Sequence, residues 1–171
     1  MTIAIVMGVS GSGKTTVAAG VARQEGWTLL EGDKFHPPAN LAKMQAGIPL
    51  TDEDRWPWLR AIAARADELR EAGQSAAVAC SALKRAYRDV LIGSRPDTVL
   101  VYLRGSKALI NERIKARRGH FMPPALLDSQ FAALEEPGPD ENPVIVDVGG
   151  TPEDEIADAV RQLNARKGPV S

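Results

Sequence analysis

The sequence predicts an α/β fold of three layers, a five-stranded parallel sheet between helices, with a small lid. Three observations carry this. Five short apolar runs alternate with longer helical stretches; a glycine-rich turn joins the first run to the first helix; and a basic helical segment late in the chain is broken by glycine and prolines. With 171 residues the chain has the size of one domain, expected to span 1–171 with the lid, about 113–124, inserted within it.

In chain order, "IAIVM" (3–7) is a buried strand, and "TTVAAGVARQ" after the glycine turn is helical. "WTLL" (27–30) is the second strand, followed by the charged, proline-broken stretch 31–59. A helix follows Asp52, where Trp56, Leu59, Ile62, Ala63, Ala66 and Leu69 recur at three- and four-residue spacing and Gly73 offers a stop. "AAVAC" (76–80) and "TVLVYL" (98–103) are strands three and four, and a helix runs from about Ser106 to Arg117. "VIVDV" (144–148) is the fifth strand. The last helix opens at Thr151-Pro152, with Glu153, Asp154 and Glu155 in its first turn and Arg161 and Arg166 toward its end, as the helix dipole favours. There is no repeat, low-complexity linker or domain boundary.

The net charge of −1 argues against a protein that coats nucleic acid or an anionic membrane, so a bound anion must be met by local clusters. No apolar run approaches the roughly 20 residues that span a bilayer. One cysteine, Cys80, cannot form an intramolecular disulfide and is expected to be a small buried residue. With a start, "MTIAIVMGVSG", that lacks a basic leader region, this reads as cytoplasmic.

"GVSGSGKT" (8–15) fits G-x-x-x-x-G-K-[ST] and stands between strand and helix, where backbone N–H groups and a helix N-terminus converge on a phosphate chain. Gly8, Val9, Ser10, Gly11, Ser12, Gly13, Lys14, Thr15 and Thr16 are the candidate nucleotide contacts. Lys14 serves as a point charge on the β- and γ-phosphates, and the Thr15 hydroxyl as a Mg²⁺ ligand. The plain alternative, a glycine turn with a solvated lysine, is disfavoured because every fixed position and both flanks are present. No N-K-x-D guanine motif occurs, and the third strand runs into Cys80-Ser81 rather than an aspartate. A carboxylate that holds the metal through water is therefore sought at Asp33.

Several blocks together, "MGVSGSGKT", "GDKFHPPANLAKMQAGIPLTDEDRWPWL", "CSALKRAYRDVL", "YLRGS", "RIKARRGHFMP" and "QFAALEEPGPDE", resemble the bacterial-type gluconokinases, P-loop kinases related in fold to shikimate and adenylate kinases. The resemblance covers about residues 3–148. It implies ATP- and Mg²⁺-dependent phosphorylation of the 6-hydroxyl of D-gluconate, and a homodimer.

Independently of the resemblance, ligands of open α/β sheets gather at the carboxyl ends of the strands. Asp33, Ser81 and the phosphate loop are thus expected in one crevice, with Asp33 as general base or orienter of the acceptor hydroxyl. A strand-end turn carboxylate is its alternative role. A sugar acid presents one carboxylate and several hydroxyls, chemistry that His36, Asn40, Lys43, Arg55, Lys84 and Arg88 supply. Lys84 and Arg88 lie four apart and are expected on one helix face; a solvated face is the alternative, which the resemblance disfavours. His36 could instead brace the turn before Pro37-Pro38. Trp56 and Trp58 read as packing, Trp56 as part of the apolar stripe of its helix.

Between Arg104 and His120 stand Lys107, Arg113, Lys115, Arg117 and Arg118 against the single acid Glu112. By the resemblance Arg113 lies against adenine, while Arg117 and Arg118 reach the phosphates, with Arg117 counted as catalytic. His120 joins the substrate site, and Pro152 sits in an adenine-contacting turn. An exposed basic helix is the alternative. From Glu135 to Asp158 there are nine acidic residues and no basic one, a solvated acidic face from which Asp140 or Glu141 could pair with the lid. Two other functions stay open at this stage: a kinase of the same scaffold for another hydroxylated acid such as shikimate, and a nucleotide-binding regulator without turnover.

Overall fold

The computed structural model describes residues 1–116 and 124–166. Five parallel strands, β1 (Ile3–Met7), β2 (Thr28–Glu31), β3 (Ala76–Ala79), β4 (Thr98–Arg104) and β5 (Val144–Asp147), form one sheet in the order β2-β3-β1-β4-β5. Register is continuous across the centre, with Ile5 beside Val78 on one side and Leu100 on the other.

Alternation along each strand sorts side chains to two apolar layers, because successive residues point to opposite faces. Ala4, Val6, Ala77, Val101, Leu103 and Val146 face one layer, which holds Val17 and Val21 of α1 (Lys14–Glu25) and Ile156, Ala159 and Leu163 of α7 (Pro152–Arg166). Ile110 and Ile114 of α5 (Lys107–Ala116) complete it. Ile3, Ile5, Val78, Leu100 and Tyr102 face the other layer, closed by Leu59, Ile62, Ala66 and Leu69 of α3 (Asp52–Glu71) and by Tyr87 and Leu91 of α4 (Arg85–Leu91). Two short helices, α2 (Pro38–Gln45) and α6 (Pro124–Ala133), complete the described helices.

Two local expectations shift. Trp27 lies between α1 and β2 rather than in the strand: Gly26 turns left-handed and the Trp27 N–H reaches back to the Ala22 carbonyl, a helix-terminating bond that delays the strand by one residue. On α3 it is Trp58, not Trp56, that joins the buried stripe. Trp58 is 3% exposed and donates to the Gly32 carbonyl (2.8 Å), whereas Trp56 is only partly buried and meets Tyr87 edge-on. The spacing 58, 62, 66, 69 follows one helix face more closely than a stripe begun at 56. Thr51 starts α3 with a capping box, its hydroxyl accepting from the Asp54 N–H and its own N–H donating to the Asp54 carboxylate.

α1 and α7 approach each other at Gly20, where a Cβ would stand 2.3 Å from Ile156 Cδ1 and within 2.9 Å of two further Ile156 carbons. Gly20→Ala gains about 1 kcal/mol of helix propensity, but forcing a methyl into a branched, buried neighbour costs about 1–3 kcal/mol. The clash is expected to win, lowering the melting temperature by a few degrees. A thermal melt at or above the wild-type value would show that Ile156 yields freely.

Candidate active site

The phosphate loop spans the end of β1 and the start of α1. Gly11 (φ 84°) and Gly13 (φ 95°) lie in the left-handed region, and a Cβ on Gly11 would meet Ile114 at 2.7 Å, so the turn demands glycine for conformation and for space. The Ser12 hydroxyl is buried without a hydrogen-bond partner among the described residues. Lys14 Nζ bonds the Val9 carbonyl at 3.2 Å. Burial pushes the Lys14 ammonium below its ordinary value, while the negative charge of Asp33 opposes this. Thr15 and Thr16 are exposed at the first turn of α1.

A crevice of about 180 Å³ opens between this loop and the ends of β2 and β3, lined among others by Lys14, Thr15, Glu31, Asp33 and Cys80. Asp33 stands on a 3-10 turn, Gly32–Phe35, that continues β2. The structure therefore brings Asp33 and the phosphate loop to one crevice, which Cys80 rather than Ser81 lines from the end of β3. Ser81 meets the loop through its backbone, its carbonyl accepting from the Gly8 N–H at 3.3 Å. Cys80 is buried, and burial pushes its thiol up to about 12, which suits an inert wall rather than a nucleophile.

The expected acceptor residues lie on neighbouring elements. His36 stacks on Trp58, with ring centroids 4.2 Å apart and planes 15° from parallel. Buried Asn40, on α2, donates from Nδ2 to His36 Nδ1 (3.2 Å) and to the Asp54 carbonyl (2.9 Å). Because an amide nitrogen only donates, His36 Nδ1 accepts and the neutral ring carries its proton on Nε2. Lys43 pairs with Asp54 at 2.6 Å, and this hydrogen bond, helped by the Thr51 N–H, holds the Asp54 carboxyl down at about 2. Arg55 donates from Nη1 to the Leu50 carbonyl (2.7 Å) and to the Tyr87 hydroxyl (3.2 Å). Tyr87 in turn donates to Asp52 at 2.5 Å, and burial, with that bond, pushes its phenol up to about 12.

Lys84 and Arg88 do not share a face, contrary to expectation. Lys84 is the residue before α4, its Nζ 3.3 Å from Asp52, on the side of Arg55 and Tyr87. Arg88 is 1% exposed, and its guanidinium is taken up by Glu141 and by the Ala82 and Leu83 carbonyls, so it lies behind the crevice rather than in it. The physical reason is that Glu141 offers a carboxylate in a dry site, which a four-residue spacing on α4 cannot reveal. Asp140 pairs with Arg85 at 2.5 Å, so these two acids are engaged by α4. α4 thus recruits two acids of the run that the sequence leaves on the surface, both on the 3-10 turn Pro139–Glu141.

Arg113 donates from Nη2 to the Gly150 carbonyl and to the Glu155 carboxylate, each at 2.6 Å, joining the turn that precedes Pro152 to α5. Arg113 and Pro152 are thereby brought together. Arg117, Arg118, His120 and most of the expected lid lie outside the described residues.

Four residues that pattern reading did not single out now stand at the site. Gln130 of α6 accepts from the Ser10 N–H of the phosphate loop at 2.5 Å, and buried Glu155 holds Arg113. Asp52 and Tyr87 complete the acceptor wall. Only a signal linking residues more than a hundred positions apart could have found Gln130.

His36 provides a pH test. Burial lowers its affinity for a proton, with Asp33 opposing and Arg55 assisting. The unfolded chain then binds the proton more readily, so this contribution to stability is complete above the ordinary value near 6.5 and is lost as pH falls toward the folded one. The His36 ring is expected to titrate below about 6.5 by NMR, and a midpoint above that value would contradict the buried, neutral ring.

A parallel sheet in this order, a phosphate loop at its centre and an acidic acceptor turn beside it define a P-loop kinase. The AAA domain family matches residues 3–137. A gluconokinase of Gluconobacter oxydans is 46% identical over 94% of this chain and 90% of its own. A gluconokinase structure from Sinorhizobium meliloti superposes with a TM-score of 0.88 at 44% identity, covering 96% of this chain and 93% of that one. An unliganded sugar kinase of a Janibacter species gives the same TM-score at 50% identity, covering 96% and 95%. The chain belongs to the gluconokinase family.

Proposed function

We propose that this chain transfers the γ-phosphoryl group of ATP to the 6-hydroxyl of D-gluconate, giving 6-phosphogluconate and ADP. The observation that carries the reading is the shared crevice of Lys14, Thr15 and Asp33, with the hydrogen-bonded His36–Asn40 pair on the segment that follows Asp33.

The loop fits a nucleotide on its own geometry: a left-handed glycine turn opening a helix, and a buried Ser12 hydroxyl without a hydrogen-bond partner among the described residues. Thr15 and Asp33 offer the two hard oxygen donors with which Mg²⁺ is commonly held, Asp33 through water. Bound there, the ion would neutralise charge on the β- and γ-phosphate oxygens. Lys14 places a cation on the same oxygens. Asp33 orients the acceptor hydroxyl and takes its proton as the new O–P bond forms and the bond to the β-phosphate oxygen breaks. His36, Asn40, Lys43, Arg55, Lys84 and Ser81 recognise the sugar acid, with Lys43 and Lys84 exchanging part of their pairing with Asp54 and Asp52 for the incoming carboxylate. Arg113 and Pro152 border the adenine side. By the family resemblance, Arg117 and Arg118 are assigned to the phosphates and His120 to the sugar.

Family membership supports a homodimer, tested by sedimentation, and the lone buried thiol suits a cytoplasmic setting. No described helix is long and apolar enough to cross a membrane. A coupled ADP-release assay over sugar acids, shikimate and nucleoside monophosphates tests the assignment. Gluconate is expected to give the highest kcat/KM; ATP binding without turnover on any acceptor would favour a regulator.

A further inference from the structure

The loop from Cys80 to Lys84, between β3 and α4, carries an unusual backbone. Ala82 has φ 45°, and the only other described non-glycine residue with positive φ is Asn142. Asparagine tolerates that region, whereas alanine is strained there and keeps it only if its surroundings impose it.

Those surroundings converge on Arg88. Its Nη1 donates to the Ala82 carbonyl (2.9 Å) and the Leu83 carbonyl (3.1 Å), while Nε and Nη2 hold Glu141 at 2.6 and 3.1 Å. The Glu141 carboxylate is fixed in turn by the Gly138 N–H at 3.0 Å. Ala82 is wholly buried, and the residue before it presents its carbonyl to Gly8, the first glycine of the phosphate loop. A buried ion pair by itself is weak support for a stabilising role. A guanidinium fork that also reads two consecutive carbonyls specifies one backbone conformation.

We propose that Arg88 is a positioning residue: with Glu141 it holds Ala82 left-handed, and so sets the Ser81 carbonyl against the phosphate loop and the wall of the crevice. This rests on the kinase reading above. It assigns Arg88 and Glu141 an indirect part in the reaction, without contact to the sugar.

The test uses Arg88→Lys alone and with Ala82→Gly in the full chain. Lysine keeps the charge but has three donors on one nitrogen and no planar fork, so it cannot reproduce the four hydrogen bonds to Glu141 and the two carbonyls. Arg88→Lys is expected to lower kcat about 10- to 100-fold with little change in KM for gluconate, and to speed hydrogen exchange at the Gly8 amide. Glycine adopts the left-handed conformation without a Cβ penalty, so adding Ala82→Gly should restore most of both readouts. A raised KM for gluconate that the glycine does not rescue would mean that Arg88 touches the sugar. A lower melting temperature with kcat and Gly8 exchange unchanged would reduce the pair to a brace; either result overturns the proposal. If Arg88→Lys does not fold, Glu141→Gln with and without Ala82→Gly carries the same comparison. Should the wild type fail to phosphorylate gluconate, the function reading fails, while the exchange of Gly8 still decides the loop.

Discussion

Replacing Asp33 with asparagine is expected to lower kcat by about 10²- to 10⁴-fold, which at the midpoint corresponds to about 4 kcal/mol of transition-state stabilisation. Binding of a non-hydrolysable ATP analogue and the melting temperature should stay near wild type. Asparagine preserves the shape of the side chain on its exposed 3-10 turn, so the fold loses little. It removes the negative charge that the crevice shares with Lys14 and the oxygen that can take a proton from an acceptor hydroxyl. Turnover within a few-fold of wild type would take Asp33 out of the reaction and leave it as a strand-end turn residue.

The second large effect is expected at Lys14. In Lys14→Ala, kcat/KM for ATP should fall about 10³-fold or more, because phosphoryl transfer depends on fixed positive charge at the equatorial oxygens. Stability should move the other way or not at all. The ammonium sits where burial disfavours its charge, and it donates to the Val9 carbonyl. Removing it relieves a desolvation cost that the folded state carries for function. Parallel measurement of melting temperature and kcat/KM separates the two effects. A variant that loses both together would mean that Lys14 holds the loop's shape instead of serving the nucleotide.

The parts of the site that were legible in the sequence are those written in contiguous code. Gly8 to Thr15 must combine a tight turn, a cation and a hydroxyl within eight residues, and the turn cannot be built otherwise, so the pattern states its own geometry. The strands were legible for a similar reason: a parallel sheet covered on both faces needs uninterrupted apolar runs, and "IAIVM" coincides with β1. Asp33 followed from its place at a strand end.

What stayed hidden involves partners distant in the chain. From the sequence Arg88 is expected to meet the sugar acid beside Lys84 because that four-residue spacing is all that the local sequence contains, while Glu141 lies 53 positions away. Both tryptophans read as packing, but the pattern assigns Trp56 the apolar stripe that belongs to Trp58, to which Gly32 supplies a carbonyl and His36 a ring. The cations of the acceptor wall show the same thing. Lys43 and Lys84 are present in the sequence as charges, but only packing reveals that Asp54 and Asp52 already hold them.

Taken alone, the sequence determined the layered α/β class, the nucleotide loop and the chemical character of the acceptor stretch, because each depends on periodicity or on residues close along the chain. The tertiary structure decided which charged groups face the crevice and which are spent inside, Arg88 on Glu141 and Arg113 on Glu155. The reason is electrostatic: a charge removed from water must find its partner wherever the fold brings one, and sequence distance places no limit on where that is.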